Sequence, residues 1–175
     1  MRGVFKQRPS LPKYTVTYDV DIVFSHIMHS SLQNLNLKNL TFRVATVLCI
    51  LSGQRSQTLG VIDTSLMHMD NNKCIFFISS LLKQSRPNFH QAPLEFVAHT
   101  DNECICPIAH IREYIEKTKE LRGTQNKFFI SYAPPYKAVT SSTIAKWVVL
   151  FLTECGIDTK VFQLTPHVLH LHLNL

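Results

Sequence analysis

A chain of 175 residues, 45% apolar and 17% charged, can bury one core and is too apolar for a disordered polyelectrolyte. Its formal charge of +6 and pI near 9.2 favour polyanionic partners, nucleic acid ahead of membranes. The longest apolar run, Trp147 to Leu152, is far too short to cross a bilayer, and Met1-Arg-Gly-Val-Phe-Lys6 lacks the apolar core of a signal peptide.

In chain order, residues 1–18 carry Arg2, Lys6, Arg8 and Lys13 among Pro9 and Pro12, which predicts an extended basic arm. Such an arm is either a solvated tail or a strap along DNA phosphates. Asp19 is placed to cap a helix through Val20, Val23, Phe24 and Ile27, ending near Ser30 or Ser31. An Asn-rich turn over Leu32 to Lys38 leads into the central helix. There Leu40, Val44, Val47, Leu48 and Leu51 recur at three- and four-residue spacing, as a mostly buried helix requires. Ser52-Gly53 stops it, because glycine tolerates the left-handed conformation of a helix end. Arg55 follows at once, and Leu59, Val61 and Ile62 resume the apolar pattern. A guanidinium is thus held at a tight corner between two packed helices. It serves either a salt bridge or bidentate binding of a phosphate.

Beyond Asp63 the period changes. Ser65 to Met69 and Cys74 to Ser79 flank Asp70-Asn-Asn-Lys73, a hairpin turn between short strands, and Leu94 to Ala98 makes a third. The loop between the last two projects Lys83 and Arg86. Pro107 suits the first turn of a helix through Ile108, Ile111, Tyr114 and Ile115 towards Leu121, stopped at Gly123. Its charged face, Arg112 to Glu120, reads as a solvent face. Phe128 to Ser131 is a short buried segment and Ala133 to Ala138 a rigid loop. Ser141 or Ser142 opens a last helix through Ile144, Trp147, Val148, Phe151 and Leu152, stopped at Gly156, with Trp147 in the core.

The cysteines are Cys49, Cys74, Cys104, Cys106 and Cys155, an odd and scattered set. Cys49, Cys74 and Cys155 lie in apolar runs as reduced core thiols, and Cys104-x-Cys106 is too close for a usual paired zinc motif. The expected setting is nuclear or cytoplasmic, intracellular and reducing. His167, His170 and His172 lie close together, but no nearby Cys or carboxylate completes a site, so no metal is expected.

Ser52-Gly53-Gln54-Arg55-Ser56-Gln57-Thr58-Leu59 followed by Asp63 resembles the first catalytic-arginine box of the tyrosine recombinases. The likeness is greatest to the recombinases of DIRS-like retrotransposons. Gly3-Val-Phe-Lys-Gln-Arg-Pro-Ser-Leu-Pro-Lys-Tyr14 and Tyr18-Asp-Val20 resemble that group's lead-in. Leu81-Leu-Lys-Gln-Ser-Arg-Pro87, Cys106-Pro107 and Thr165-Pro-His167 fall in its order, so the resemblance runs from Arg2 to His167. It implies a mainly helical catalytic domain with a small antiparallel sheet (α+β) over 19–167, with double-stranded DNA as partner and self-association on DNA left open. It implies neither a membrane nor any small-molecule cofactor.

In that family a tyrosine attacks a DNA phosphate to give a 3′-phosphotyrosyl bond, two arginines clamp the phosphate, a lysine protonates the leaving 5′-oxygen and a histidine moves protons. The resemblance makes Arg55 the first arginine, Lys83 the lysine (with Lys73 the alternative) and His167 the histidine. Arg8, Lys13 and Arg86 become phosphate contacts. The second arginine's position, three after His167, holds His170, and no tyrosine follows Tyr136. Residues 168–175, Val-Leu-His-Leu-His-Leu-Asn-Leu, do not resemble the family and are expected to be an aberrant tail, from a frameshift, a mis-called splice or a pseudogene. Truncation before the second arginine and the tyrosine predicts a recombinase remnant unable to cleave. A non-enzymatic DNA-binding or interaction module that keeps the fold stands as the alternative.

Overall fold

The computed structural model describes residues 18–79 and 92–160. The helix at its centre, α2 (Leu37–Ser52), starts where the Asn36 side chain accepts from Asn39 N–H at 2.9 Å. It is buried on nearly every side from Leu40 to Leu48. Burial of that kind forces its polar side chains to find partners within the protein. Thr41 and Thr46 return their hydroxyls to the carbonyls of Leu37 and Phe42. Arg43 donates from Nε to His110 Nε2 (3.0 Å), and from its terminal nitrogens to the Ser30 and Cys104 carbonyls (2.8 and 2.9 Å). Gly53, at φ 60°, ends the helix in the left-handed conformation that a side chain would resist.

Before it, α1 (Val20–Met28) is capped by Asp19 and buries Val20, Val23 and Ile27. It ends two residues short of Ser30. After it, α3 (Ser56–Leu59) is a single turn that sinks Thr58 and Leu59, with Ile62 following into the core. The strand expected from Ser65 begins later. Asp63 accepts from Ser65 N–H and Oγ, and this local capping turns Thr64–Leu66 into a 3₁₀ turn.

The sheet is antiparallel in the order β1 (Met67–Met69), β2 (Lys73–Phe76), β3 (Leu94–Val97). Asp70 fixes the β1–β2 turn by accepting from Asn72 and Lys73 N–H. Met67 lies opposite Phe76, and Phe76 opposite Leu94, so alternation sends Cys74, Phe76, Leu94 and Phe96 inward. Pro107 opens α4 (Pro107–Thr118), which is shorter than its apolar spacing suggested; a turn at Gly123 (φ 50°) completes the reversal. Its charged face is not all solvent. Lys117 ion-pairs with Glu113 at 3.3 Å and donates to the Gln33 and Leu35 carbonyls at 2.8 Å, fastening the loop before α2.

Phe128, Phe129 and Ile130 are buried beside Tyr114, whose hydroxyl accepts from Ile130 N–H at 3.2 Å. The last helix, α5 (Ser141–Glu154), is capped by Thr140 and lies along α2, with Trp147 stacked on Phe42 at 6.0 Å. Trp147 is a core residue at 4% exposure. Cys74 is buried, whereas Cys49 and Cys155 are only partly so; all five cysteines are free thiols. Among the described residues no helix is long and apolar enough to cross a membrane.

Candidate nucleic-acid interface

The turn from α2 into α3 is built on three residues, Gly53, Gln54 and Arg55. Ser52 Oγ donates to Leu48 O at 2.6 Å and accepts from Gln54 N–H at 3.2 Å. Cys49 Sγ donates to the Gln54 carbonyl at 3.4 Å, a geometry that requires the thiol and not the thiolate. Burial pushes that thiol up to about 11, so it stays protonated. Thr58 Oγ1 donates to Gln54 Oε1 at 3.2 Å. Arg55 itself caps α3 through its carbonyl, which accepts from Thr58 N–H (2.8 Å) and Leu59 N–H (3.2 Å). Its backbone is extended, at φ −74° and ψ 152°. Its side chain is exposed and makes no hydrogen bond or ion pair among the described residues. A pinned backbone thus carries a guanidinium that is unpaired among the described residues. The salt-bridge reading of this arginine finds no carboxylate partner among them.

Next to this corner lies the start of α5. A Cβ at Gly60 would stand 3.1 Å from Ser141 Cβ and 3.2 Å from its Cα, so α3 and the first turn of α5 meet almost backbone to backbone. Thr140 accepts from Thr143 N–H at that end.

The other candidate residues are placed as follows. Lys83 and Arg86 lie outside the described residues, as do Arg8, Lys13, His167 and His170. Lys73 is described, and its Nζ is 2.7 Å from Glu95 Oε1 in a half-exposed ion pair across β2 and β3. The arrangement offers no gathering of three His, Cys, Asp or Glu side chains for a metal among the described residues. Sequence reasoning missed Gln54, Cys49 and Thr58 as supports of Arg55. The signal was there: a Ser-Gly-Gln-Arg corner leaves Gln54 backbone groups in need of partners, which Ser52 and Cys49 supply from the preceding helix, while Thr58 is close enough in sequence to reach its side chain.

Mainly helical, with a three-stranded antiparallel sheet, the described residues have a fold like that of a tyrosine-recombinase catalytic domain. The particular likeness is to the XerH site-specific recombinase bound to difH substrate in a pre-cleavage complex. It has a TM-score of 0.53 and 12% identity, and spans 84% of this chain and 38% of that one. At that identity the likeness is one of fold, and this chain corresponds to well under half of the recombinase. No family profile matches the sequence, and no curated protein does.

Proposed function

We propose that this chain is a DNA-binding remnant of a mobile-element tyrosine recombinase of the DIRS-like kind, which holds duplex DNA without cleaving it. The observation that carries the reading is Arg55: an exposed guanidinium, unpaired among the described residues, on a pinned corner, within a fold shared with a recombinase held on its substrate. Arg55 takes a phosphate in bidentate fashion, with Lys83 and His167 completing the site and Arg8, Lys13 and Arg86 adding phosphate contacts. The basic arm over 1–18 acts as a strap along the DNA, in a nuclear or cytoplasmic setting, with self-association on DNA left open. The formal charge of +6 supports a polyanionic partner.

The experiment is duplex binding by fluorescence anisotropy across a salt series. Affinity is expected to be weak, sequence-tolerant and steeply reduced as salt rises. Arg55→Ala is expected to weaken it only roughly three- to tenfold at low salt, since one phosphate contact among several is lost. Binding that ignores salt between low and physiological concentration would sink the reading.

A further inference from the structure

Gln54 has no role in the reading given so far, yet it is the most heavily tied residue of the corner. We infer that Gln54 is the positioning residue of Arg55, an inference that rests on Arg55 binding a DNA phosphate. The direction in which a side chain leaves the backbone is set by the two peptide planes flanking its Cα. At Arg55 both planes are held. The preceding plane is fixed by Cys49 Sγ–H on the Gln54 carbonyl (3.4 Å), and the following plane by Thr58 and Leu59 N–H on the Arg55 carbonyl (2.8 and 3.2 Å). Gln54 is itself held twice more, by Ser52 Oγ on its N–H and by Thr58 Oγ1–H on its side-chain oxygen, each at 3.2 Å.

Thr58 therefore grips the corner from both sides, through its backbone N–H on Arg55 and its hydroxyl on Gln54. It is 6% exposed, so it can act on DNA only through the residues it holds. Without the hydroxyl, Gln54 keeps only its backbone ties, and the peptide plane before Arg55 rests on the Cys49 contact alone, the longest of the set at 3.4 Å. A phosphate clamp is sensitive to that, because a bidentate pair demands both planarity and distance.

The test is a double-mutant cycle on duplex affinity at low salt, with thermal melting of each variant alongside. Thr58→Val keeps the shape and removes the hydroxyl; Thr58→Ser keeps the hydroxyl; Gln54→Ala removes its acceptor. Thr58→Val and Gln54→Ala are each expected to weaken binding roughly two- to threefold, a part of the effect of Arg55→Ala. Neither should weaken it further in an Arg55→Ala background, and Thr58→Ser should restore it. A merely structural Thr58 would lower affinity equally in both backgrounds, and that result overturns the inference, as does unchanged binding by Thr58→Val where Arg55→Ala binds more weakly. Should Thr58→Val not fold, Gln54→Ala decides by the same criteria. Should Arg55→Ala bind as tightly as the parent chain, the phosphate role of Arg55 fails first and the positioning role falls with it.

Discussion

Arg43 lies on α2 at 1% exposure, twelve residues before an arginine that is exposed, and burial decides what each can do. Its guanidinium ties the end of α1, the loop before α4 and α4 itself to the central helix. Its nitrogen partner, His110, must be neutral, since Nε2 accepts from Arg43 while Nδ1 lies 2.8 Å from the Cys106 carbonyl it donates to. Burial, with the Arg43 charge adding to it, lowers His110 to about 4. Unfolded, the same imidazole titrates near its ordinary value of about 6.5. Between those values the unfolded chain takes up a proton that the folded chain refuses. The stability this neutral histidine contributes is therefore whole above about pH 6.5 and is lost as pH falls towards 4, on the order of 3 kcal/mol. Urea unfolding at pH 7 and pH 4.5 should show a larger acid loss in the parent chain than in His110→Gln; equal losses would mean His110 does not titrate this way. None of this was legible beforehand. Spacing puts position 43 beside the apolar stripe, and nothing local announces that a cation there will find a histidine 67 positions away.

At the scale of elements the sequence was far more readable, because each helix advertises one apolar face and a stop. Gly53 and Gly156 end α2 and α5 at φ 60° and 86° as glycine's conformational freedom suggests, and Asp19 opens α1. The shortfalls came from side chains that compete with the backbone. Asp63 diverts the first strand into a 3₁₀ turn, and Lys117 leaves the charged face of α4 to close a loop. What spacing could not give was the closeness of α3 to α5. Gly60 has φ −72°, which any residue can adopt, so its constraint is space alone. The nearest atoms to an added Cβ include the Cα (3.2 Å) and N (3.3 Å) of Ser141, which cannot yield by changing rotamer. Gly60→Ala should thus push the first turn of α5 away from the Arg55 corner and cost about 1–3 kcal/mol in chemical denaturation. An unchanged midpoint would show that the two backbones have room to part.

For the molecule as a whole, the fold and the arginine corner were legible in a short motif and an apolar period, while the rest of the proposed site falls on residues 1–17, 80–91 and 161–175, outside the described structure. The reading can still be tested on the whole chain through its tyrosines, for covalent strand transfer needs a hydroxyl free to attack a phosphate. Tyr114 is fully buried and its hydroxyl is engaged with Ile130, while burial raises the pKa of both Tyr114 and Tyr18. Tyr132 is packed against Phe42 and Trp147, and Tyr136 sits at φ 53° in the loop after Pro134-Pro135. Tyr14 lies outside the described residues, and no tyrosine follows Tyr136 in these 175 residues. If, as proposed, His170 stands in the place of a second arginine, half of the phosphate clamp is also exchanged for a group that is cationic only when protonated. Losing one such donor costs about 3 kcal/mol of transition-state stabilisation. On that proposal both changes fall on the same step, so supplying a tyrosine alone should leave cleavage slow. A suicide duplex nicked beside the cleavage position traps any protein–DNA adduct on a denaturing gel, and this polypeptide should give none. An adduct abolished by replacing one of its five tyrosines with phenylalanine would overturn the proposal that it binds DNA without cutting it.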